Sequence, residues 1–457
     1  MNHPESADGG RPSPPGQLPR PRTAKSFWGL LTQRNFRLLL IGETSSKLGT
    51  SVSSVLLPLI AVSTLHASPF MVGLLTAAPW VPWLLIGLPA GAWVDRLRCR
   101  PVMLVCNLVS AALFASVPVA WYLGALSIGQ LLLVALLTGA ASVFFSTAYS
   151  AYLPSLVTKA ELMEGNAKLQ IGDQTTRVAG PGLGGLVAQA LGSAPGLLLD
   201  VLSFVVSSLC LLRIKASERR PALRPRRMRQ EISDGLRFVA GDRFVRPVTV
   251  FGAALNLALA AYQAVQVVFL VRTVGAEPGL VGLLIACGGL GGVLGGLAAG
   301  RLARRFGTAR ALLAIQLATT PFGLLIPLAA PGPRLLLFVL GSTVVLAGVV
   351  ACNVIIVSFR QTYCPPDMLG RVTATTLVLN YSTIPLGAVL GGAVNTALGP
   401  RTTMWIVVGS VIVTNCSLLW SPLRHLRDFP TTAPHPEQEV AAPGRSPGPR
   451  TEDQRTG

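Results

Sequence analysis

The sequence predicts an all-α membrane protein in which twelve transmembrane helices form two six-helix bundles, with both termini in the cytoplasm. The chain of 457 residues is 51% hydrophobic and only 12% charged, whereas about 25% of the residues of a soluble domain are charged. Several apolar runs reach the ~20 residues that cross a bilayer. Basic residues are concentrated in alternate loops between these runs. A soluble fold is therefore excluded.

The chain divides into two apolar halves with polar segments around them. Residues 1–34 contain many Pro, Gly and Arg residues and no apolar core, so we expect a tail and not a cleavable signal peptide. The predicted division is a disordered tail at 1–34, an N-terminal bundle at 35–214, a basic connector at 215–246, a C-terminal bundle at 247–424 and a disordered tail at 425–457.

Within the two bundles, apolar runs alternate with short polar or Gly/Pro breaks. The predicted spans are 35–64, 70–92, 102–123, 128–152, 167–190, 196–214, 247–271, 279–301, 311–330, 334–357, 374–397 and 402–422. The third and fourth spans share one uncharged stretch, which we divide near Gly124 because a single helix of that length would exceed the bilayer thickness.

Loop charges give the orientation. The net charge of +19 would suggest nucleic-acid binding in a soluble protein, but here the arginines lie mainly in the connector and in the loops after the second and eighth spans. The loops on the other side hold only Arg272, Arg334 and Arg401. By the positive-inside rule, the connector and both tails are cytoplasmic. The charge thus sets topology, and no nucleic-acid partner is expected.

An internal repeat links the two halves at an offset of about 207–209 residues. The segment from Gly91 to Arg96 corresponds to the segment from Gly300 to Arg305, and Gly184-Gly185 corresponds to Gly391-Gly392. Tandem six-helix repeats joined by a long connector are typical of secondary transporters.

Two motifs resemble those of the major facilitator superfamily. The loop after the second span is similar to the loop motif of that superfamily, and its residues are Gly91, Asp95, Arg96, Arg98 and Arg100. The fifth span resembles the GPxxGG end of the antiporter motif, with Gly180, Pro181, Gly184 and Gly185. The second copy of the loop motif has Arg304 in place of the acid, and Thr176 stands where the antiporter motif has another glycine.

Three further phrases resemble the branch of siderophore exporters and macrolide-efflux proteins. They are 35–38 (NFRL), 153–156 (LPSL) and 370–372 (GRV), and the resemblance as a whole covers 35–424. It implies the major facilitator fold and proton-coupled export by alternating access. It further implies that Asp95 helps to latch the two bundles on the cytoplasmic side, and that the GPxxGG segment bends and packs the fifth span.

Ionisable residues inside the predicted spans are the sharper functional clue, because each costs about 2.5–3.5 kcal/mol at mid-membrane. Glu43 and Lys47 are four residues apart on the first span, and Asp173 and Arg177 repeat this spacing on the fifth. Both acids lie roughly 10 Å from the cytoplasmic end by the helical rise. We therefore expect a cluster in which Glu43 faces Arg177 or Asp173 faces Lys47.

Three roles for this cluster remain open from the sequence: proton exchange by Glu43 or Asp173, a neutral structural lock between two helices, and contact with cargo. Proton exchange requires an acid whose environment changes during transport. Asp200 is predicted near the external surface, as an interfacial or helix N-terminal acid. Its predicted depth separates it from Arg177.

The resemblance implies that the first, second, fourth and fifth spans of each half line the cargo cavity. Candidate cargo contacts on these spans, any of which could instead pack between helices, are Phe144, Phe145, Tyr149, Asn256, Gln263, Gln266 and Asn353. Such a cavity is mostly apolar with scattered amides, which suits amphipathic organic molecules.

Together these observations predict a secondary active transporter in the bacterial cytoplasmic membrane. It would exchange protons for small organic molecules of the drug, macrolide or siderophore type. We expect a monomer in contact with membrane lipids, with no cofactor, no metal and no enzymatic activity. Uptake by the same fold and a non-transporting receptor or scaffold are the alternatives, and the sequence does not identify the cargo or the coupling ion.

Overall fold

A computed structural model of the chain describes residues 30–94, 97–157, 161–215 and 228–430. These residues are almost entirely helical and contain no β-strand, which confirms the all-α prediction. The helices of the first half are α1 (Arg34–Leu59), α2 (Pro69–Ala77), α3 (Val81–Val94), α4 (Cys99–Tyr122), α5 (Ile128–Leu156), α6 (Leu162–Leu191), α7 (Ser193–Gly196) and α8 (Leu198–Arg213).

The second half begins with a helix in the connector. Its helices are α9 (Met228–Gly241), α10 (Val245–Val268), α11 (Pro278–Phe306), α12 (Thr308–Thr319), α13 (Leu335–Tyr363), α14 (Pro366–Leu398) and α15 (Pro400–Ser417). Helical turns of other types extend α12 to Leu328 and α15 to Trp420.

Eleven helical segments of the described chain are long and apolar enough to cross a membrane. The predicted span at 167–190 is not among them, although it lies in α6, a helix of 30 residues. Lys168, Asp173 and Arg177 lower the hydropathy of α6, because charged side chains replace apolar ones. The count of twelve spans remains a prediction.

Several helices extend beyond the predicted spans on the predicted cytoplasmic side. Helix α6 begins at Leu162, α11 ends at Phe306 and α13 ends at Tyr363. Hydropathy detects only the part of a helix that crosses hydrocarbon, whereas the backbone hydrogen bonds of a helix continue into the aqueous layer.

Matching irregular turns support the internal repeat. Helix α1 ends in a π-helical turn at Ile60–Thr64, and α10 ends in one at Phe269–Thr273. The next helices in each half, α2 and α11, both begin with a proline. The two halves therefore share a local geometry that hydropathy does not reveal.

The two halves pack closely at one end of the molecule. At Gly185 of α6, a Cβ atom would lie 2.7 Å from both Gly282 Cα and Pro278 O, so α6 and α11 touch through their backbones. The same holds for α2 and α14, where a Cβ at Gly73 would lie 2.9 Å from Gly392 Cα. The Arg272 guanidinium also donates a hydrogen bond of 2.6 Å to Ala67 O across the halves.

The halves separate towards the opposite end. A Cβ at Gly289 of α11 would still contact Val178 of α6, but the space beside Gly292 and Gly296 is filled by Val350 of α13. With the predicted orientation, the closed end is external and the open end is cytoplasmic.

The chain after α15 is partly docked on the second half, although the sequence predicted a disordered tail from residue 425. Arg427 O accepts hydrogen bonds from the backbone N–H groups of Ala309 and Arg310 at the start of α12. The Phe429 ring stacks on Phe359 at 4.2 Å between centroids. These contacts satisfy free N–H groups of a helix N-terminus, which hydropathy cannot predict.

The connector is anchored to the same half. A Cβ at Gly235 of α9 would lie 3.0 Å from Arg371 O on α14. Asp242 accepts hydrogen bonds from the backbone N–H groups of Phe244 and Val245, and Tyr363 Oη donates a further one of 2.7 Å to it. Asp242 thus caps the start of α10 and ties it to the end of α13.

Replacing Gly282 by Val should prevent closure of the end at which the halves meet. The new side chain would overlap the backbone of α6, since Gly185 Cα already lies 2.6 Å from the Cβ position at 282. We expect spin labels at Ser68 and Glu277 of a cysteine-free variant to show a longer mean distance than in the parent. Gly409→Val is the matched control, because a Cβ at Gly409 has no neighbour within 4 Å. An unchanged distance distribution in Gly282→Val would contradict the packing described here.

Candidate functional site

Small residues bring α1 and α6 close enough for their charged residues to meet. A Cβ at Gly172 would lie 2.7 Å from Thr44 Oγ1, and one at Gly184 would lie 3.0 Å from Val52 O. Gly180 contacts Ser51 in the same way. Because such contacts recur at three levels, the two helices run side by side along the charged region.

The four charged side chains form one cluster. Lys47 Nζ lies 3.1 Å from Asp173 Oδ1 and 3.4 Å from Glu43 Oε1. Arg177 Nε lies 3.0 Å from Asp173 Oδ2. Of the two pairings expected from the sequence, the structure contains Asp173 with Lys47, and Glu43 contacts Lys47 on its own helix. Two cations and two anions balance when all four groups are ionised.

The two acids have different surroundings. Asp173 accepts from two cations, whereas Glu43 contacts one, and Glu43 Oε2 is buried with no hydrogen-bond partner. Glu43 borders a narrow gap, too small for a water molecule, that is also lined by Phe145 and Ser207. Glu43 is thus the acid whose charge is less fully compensated.

The cluster lies where the two halves begin to separate. Arg177 O is 3.7 Å from the Cβ position of Gly289, which lies seven residues along α11 from the closed contact at Gly282. The Arg177 side chain is 69% exposed and that of Lys47 is 38% exposed, while Glu43 is buried. The cluster therefore has one buried acid and two accessible cations at the inner limit of the opening.

Part of the loop motif lies within the described chain. Gly91 belongs to α3 and Arg98 precedes α4, while Asp95 and Arg96 lie outside the described residues. The Arg100 guanidinium donates hydrogen bonds of 2.8 Å to Leu211 O and 2.7 Å to Leu212 O. It thereby satisfies terminal carbonyl groups of α8. The latch role of Asp95 remains a prediction.

The GPxxGG segment contacts two neighbouring helices. Helix α6 continues through Pro181 to Leu191. Gly180 and Gly184 face α1, and Gly185 faces α11 of the other half. The segment therefore joins the charged cluster to the closed contact between the halves.

The candidate cargo residues fall into two separate groups. Phe144 stacks on Trp93, and Phe145 on Tyr149, beside the apolar core around Phe36. Asn256, Gln263, Gln266 and Asn353 lie on α10 and α13, and the Asn256 amide donates to Gly252 O of its own helix. Gln263 and Asn353 are exposed.

The position of Asp200 differs from the sequence prediction. It does lie in the first turn of a helix, α8, but it is completely buried and not interfacial. The chain folds back through α7, so that Gly196 packs beside Leu56 of α1. Helix α8 therefore begins well below the end of α1, and Asp200 reaches the level of Gly49 and Ser53. Asp200 is therefore not separated from Arg177 by its depth in the membrane. Arg177 nevertheless pairs with Asp173 and not with Asp200.

Sequence reasoning did not identify an aromatic group that bridges the halves. The Tyr381 ring of α14 lies 5.5 Å from the Trp80 ring and 6.0 Å from the Trp83 ring, between centroids. All three side chains are half-buried. The spacing of Trp80 and Trp83, three residues apart in one span, places them on one helical face, and Tyr381 gives no such signal.

Replacing Lys47 by Met should destabilise the protein, because it leaves the buried Glu43 without its cation. An uncompensated buried polar group costs about 1–3 kcal/mol, and more if charged. We expect a lower melting temperature in detergent, measured by intrinsic fluorescence. A second change, Glu43→Gln, should restore part of the loss in the double variant. If the loss of stability in the double variant equalled the sum of the losses in the two single variants, the pairing would be contradicted.

Comparisons with known proteins agree with this architecture. Residues 25–446 match the model of a family described as transmembrane secretion effectors. The multidrug efflux pump Tap of Mycobacterium tuberculosis (strain ATCC 25618 / H37Rv) is 28% identical over 407 residues, which are 85% of this chain and 94% of Tap. The enterobactin exporter EntS of Escherichia coli O9:H4 (strain HS) is 25% identical over 414 residues, which are 88% of this chain and 95% of EntS.

A solved structure shows the same fold. The nucleoside transporter NupG superposes with a TM-score of 0.69 at 14% identity, and the match covers 85% of this chain and 98% of that one. The resemblance predicted from the motifs is thereby confirmed. The chain belongs to the transmembrane secretion effector family of the major facilitator superfamily and is a multi-pass membrane transporter with efflux pumps among its relatives.

Proposed function

We propose that the protein exports small amphipathic organic molecules across the bacterial cytoplasmic membrane in exchange for protons. The observation that carries this proposal is the charged cluster at the inner limit of the opening between the halves, with Glu43 buried beside Lys47. The names of the relatives Tap and EntS, an efflux pump and an exporter, support the direction of transport.

Glu43 is the acid that we assign to proton exchange. When Glu43 is ionised, the four groups of the cluster are neutral together. When it binds a proton, the cluster gains one positive charge and Lys47 keeps only Asp173 as its partner. Since Asp173 already has two cations, it serves as the fixed counter-ion.

Alternating access would connect this exchange to cargo. In the present conformation, cargo enters between the halves from the open end, and the loss of the Glu43 proton on that side restores the neutral cluster. Closure of the open end and separation at Gly185 and Gly282 expose the site to the other side, where cargo leaves and a proton returns. Each charge moved along the membrane potential supplies about 2.3 kcal/mol per 100 mV.

The proposed cargo class is based on the residues that we assign to the opening. Exposed amides at Gln263 and Asn353 lie on the largely apolar helices α10 and α13, and the rings of Trp83 and Tyr381 are half-buried where the halves meet. Apolar surface with a few polar groups suits amphipathic molecules. Drugs, macrolides and siderophores share this character.

Two alternatives are distinguished by direct assay. Uptake by the same fold would reverse the direction of flux relative to the proton gradient. A receptor or scaffold would show no flux, and the short loops at the closed end, such as 65–68 and 274–277, argue against a separate sensing domain there.

Glu43→Gln should abolish proton-coupled transport while the protein still inserts and remains monodisperse, because Gln keeps the shape but cannot exchange a proton. Asp173→Asn should also impair transport by removing the counter-ion. The measurement is the accumulation of dyes, macrolides and siderophores in everted vesicles, with and without a protonophore. Glu277→Gln makes the same chemical change at an exposed position and should leave transport unchanged.

The coupling assignment would be wrong if Glu43→Gln and Asp173→Asn both transported cargo at the parental rate with the parental pH dependence. Protonophore-insensitive accumulation by the parent would exclude proton coupling itself. If the proton gradient drove cargo out of the vesicles and not into them, uptake would be favoured as the direction of transport.

A further inference from the structure

The carboxyl group of Asp200 is completely enclosed between α1 and α8. Its relative exposure is 0%. Ser53 Oγ lies 2.5 Å from Asp200 Oδ2, and Ser203 Oγ lies 3.0 Å from Oδ1. Ser203 also hydrogen-bonds to Asp200 O at 2.7 Å. The hydrogen-bonding partners of this acid in the described chain are hydroxyl groups.

Glycine makes room for this carboxyl group. A Cβ at Gly49 would collide with Asp200 Oδ1 and with the Ser203 side chain. About two helical turns earlier, a Cβ at Gly42 would lie 3.1 Å from Cys210 Cβ and 3.4 Å from Ser207 Cα. The face of α1 that carries Gly42, Gly49 and Ser53 is thus pressed against α8, with Asp200 in the contact.

The helices packed against Asp200 provide no cation close to it. Apart from Asp200 itself, the charged residues of α1, α4 and α8 in the described chain are Arg34, Arg37, Glu43, Lys47, Arg100 and Arg213, and α7 has none. Lys47 is two positions from Gly49, which places it about 200° around the axis of α1. It points towards Asp173 on α6, on the other side of the helix.

The two arginines near the other end of α8 are also distant. Arg100 bonds to Leu211 O, which is eleven residues or roughly 16 Å along the helix from Asp200. Arg213 lies two residues further. Arg34 and Arg37 occupy the first turn of α1, well below Gly49.

An ionised carboxylate in this position would be costly. Burial of a charge without a partner costs several kcal/mol, and in practice such a group becomes neutral. The first turn of a helix and two hydroxyl donors offset only part of this cost. A neutral carboxyl group also fits the geometry, because Oδ2–H donates to Ser53 Oγ while Oδ1 accepts from Ser203 Oγ.

We propose that Asp200 is a second proton-binding site of the N-terminal half, separate from the cluster of Glu43, Lys47, Asp173 and Arg177. The bound proton keeps the carboxyl neutral and lets it tie α1 to α8 through Ser53. Loss of that proton would leave an uncompensated charge in the contact and would loosen α1, the helix that carries Glu43 and Lys47. The site goes beyond the proposed export function and does not depend on it.

Infrared spectroscopy of the purified protein tests this assignment directly. At neutral pH, the C=O stretching band of a protonated carboxyl group should be present in the parent and absent in Asp200→Asn, whose side chain has nearly the same shape. The carboxylate bands should not change. Ser53→Ala should shift the protonated band to higher frequency, because the hydrogen bond to the carboxyl group is lost.

Controls separate this site from the other acids. The band should persist in Glu43→Gln and in Asp173→Asn, and in Asp242→Asn, which alters a hydrogen-bonded acid outside the spans. If Asp200→Asn lost a carboxylate band and kept the protonated one, Asp200 would be ionised and the proposal overturned. A band removed by Glu43→Gln would place the proton in the charged cluster instead. If Asp200→Asn did not fold, the frequency shift in Ser53→Ala would decide, and its absence would also overturn the proposal.

Discussion

The structure depends on how closely α1 approaches its neighbours. In a bilayer the surrounding lipid is as apolar as the helices, so close backbone packing and interhelical hydrogen bonds hold helices together. Gly172, Gly180 and Gly184 bring α6 against one side of α1, and Gly42 and Gly49 of α1 bring α8 against the other. Each close contact encloses acids that the hydrocarbon would not tolerate: Glu43 and Asp173 on the first side, and Asp200 on the second. The close packing of α1 therefore also creates the sites in which these acids are enclosed.

Helix α6 connects this arrangement to the contact between the halves. Its glycines face α1 at three positions and α11 at Gly185, so α6 joins the charged cluster to the closed end. Arg177, which pairs with Asp173, lies on α6 at its contact with Gly289 of the second half. The cluster thus lies at the place where the halves part, which is the location that the proposed exchange of protons requires.

Hydropathy and loop charge predicted the all-α membrane fold, and the spacing of Glu43, Lys47, Asp173 and Arg177 predicted that these residues would meet. The depth of Asp200 was not predictable in this way, because helix rise was counted from the ends of spans and α7 shifts the start of α8 inwards. The position of Tyr381 beside Trp80 and Trp83 was also not predictable, because it depends on packing between the halves. The carbonyl contacts of Arg100 depend on the end of another helix, which no local pattern encodes.

The chain after the last span has a practical consequence for how this transporter is handled. Arg427 and Phe429 complete the folded second half, one through its carbonyl oxygen at α12 and the other through its ring on Phe359. A boundary drawn where hydropathy falls, near residue 422, would cut through this folded region. Reporter proteins and affinity tags should therefore be fused beyond Pro430, so that the domain edge remains intact.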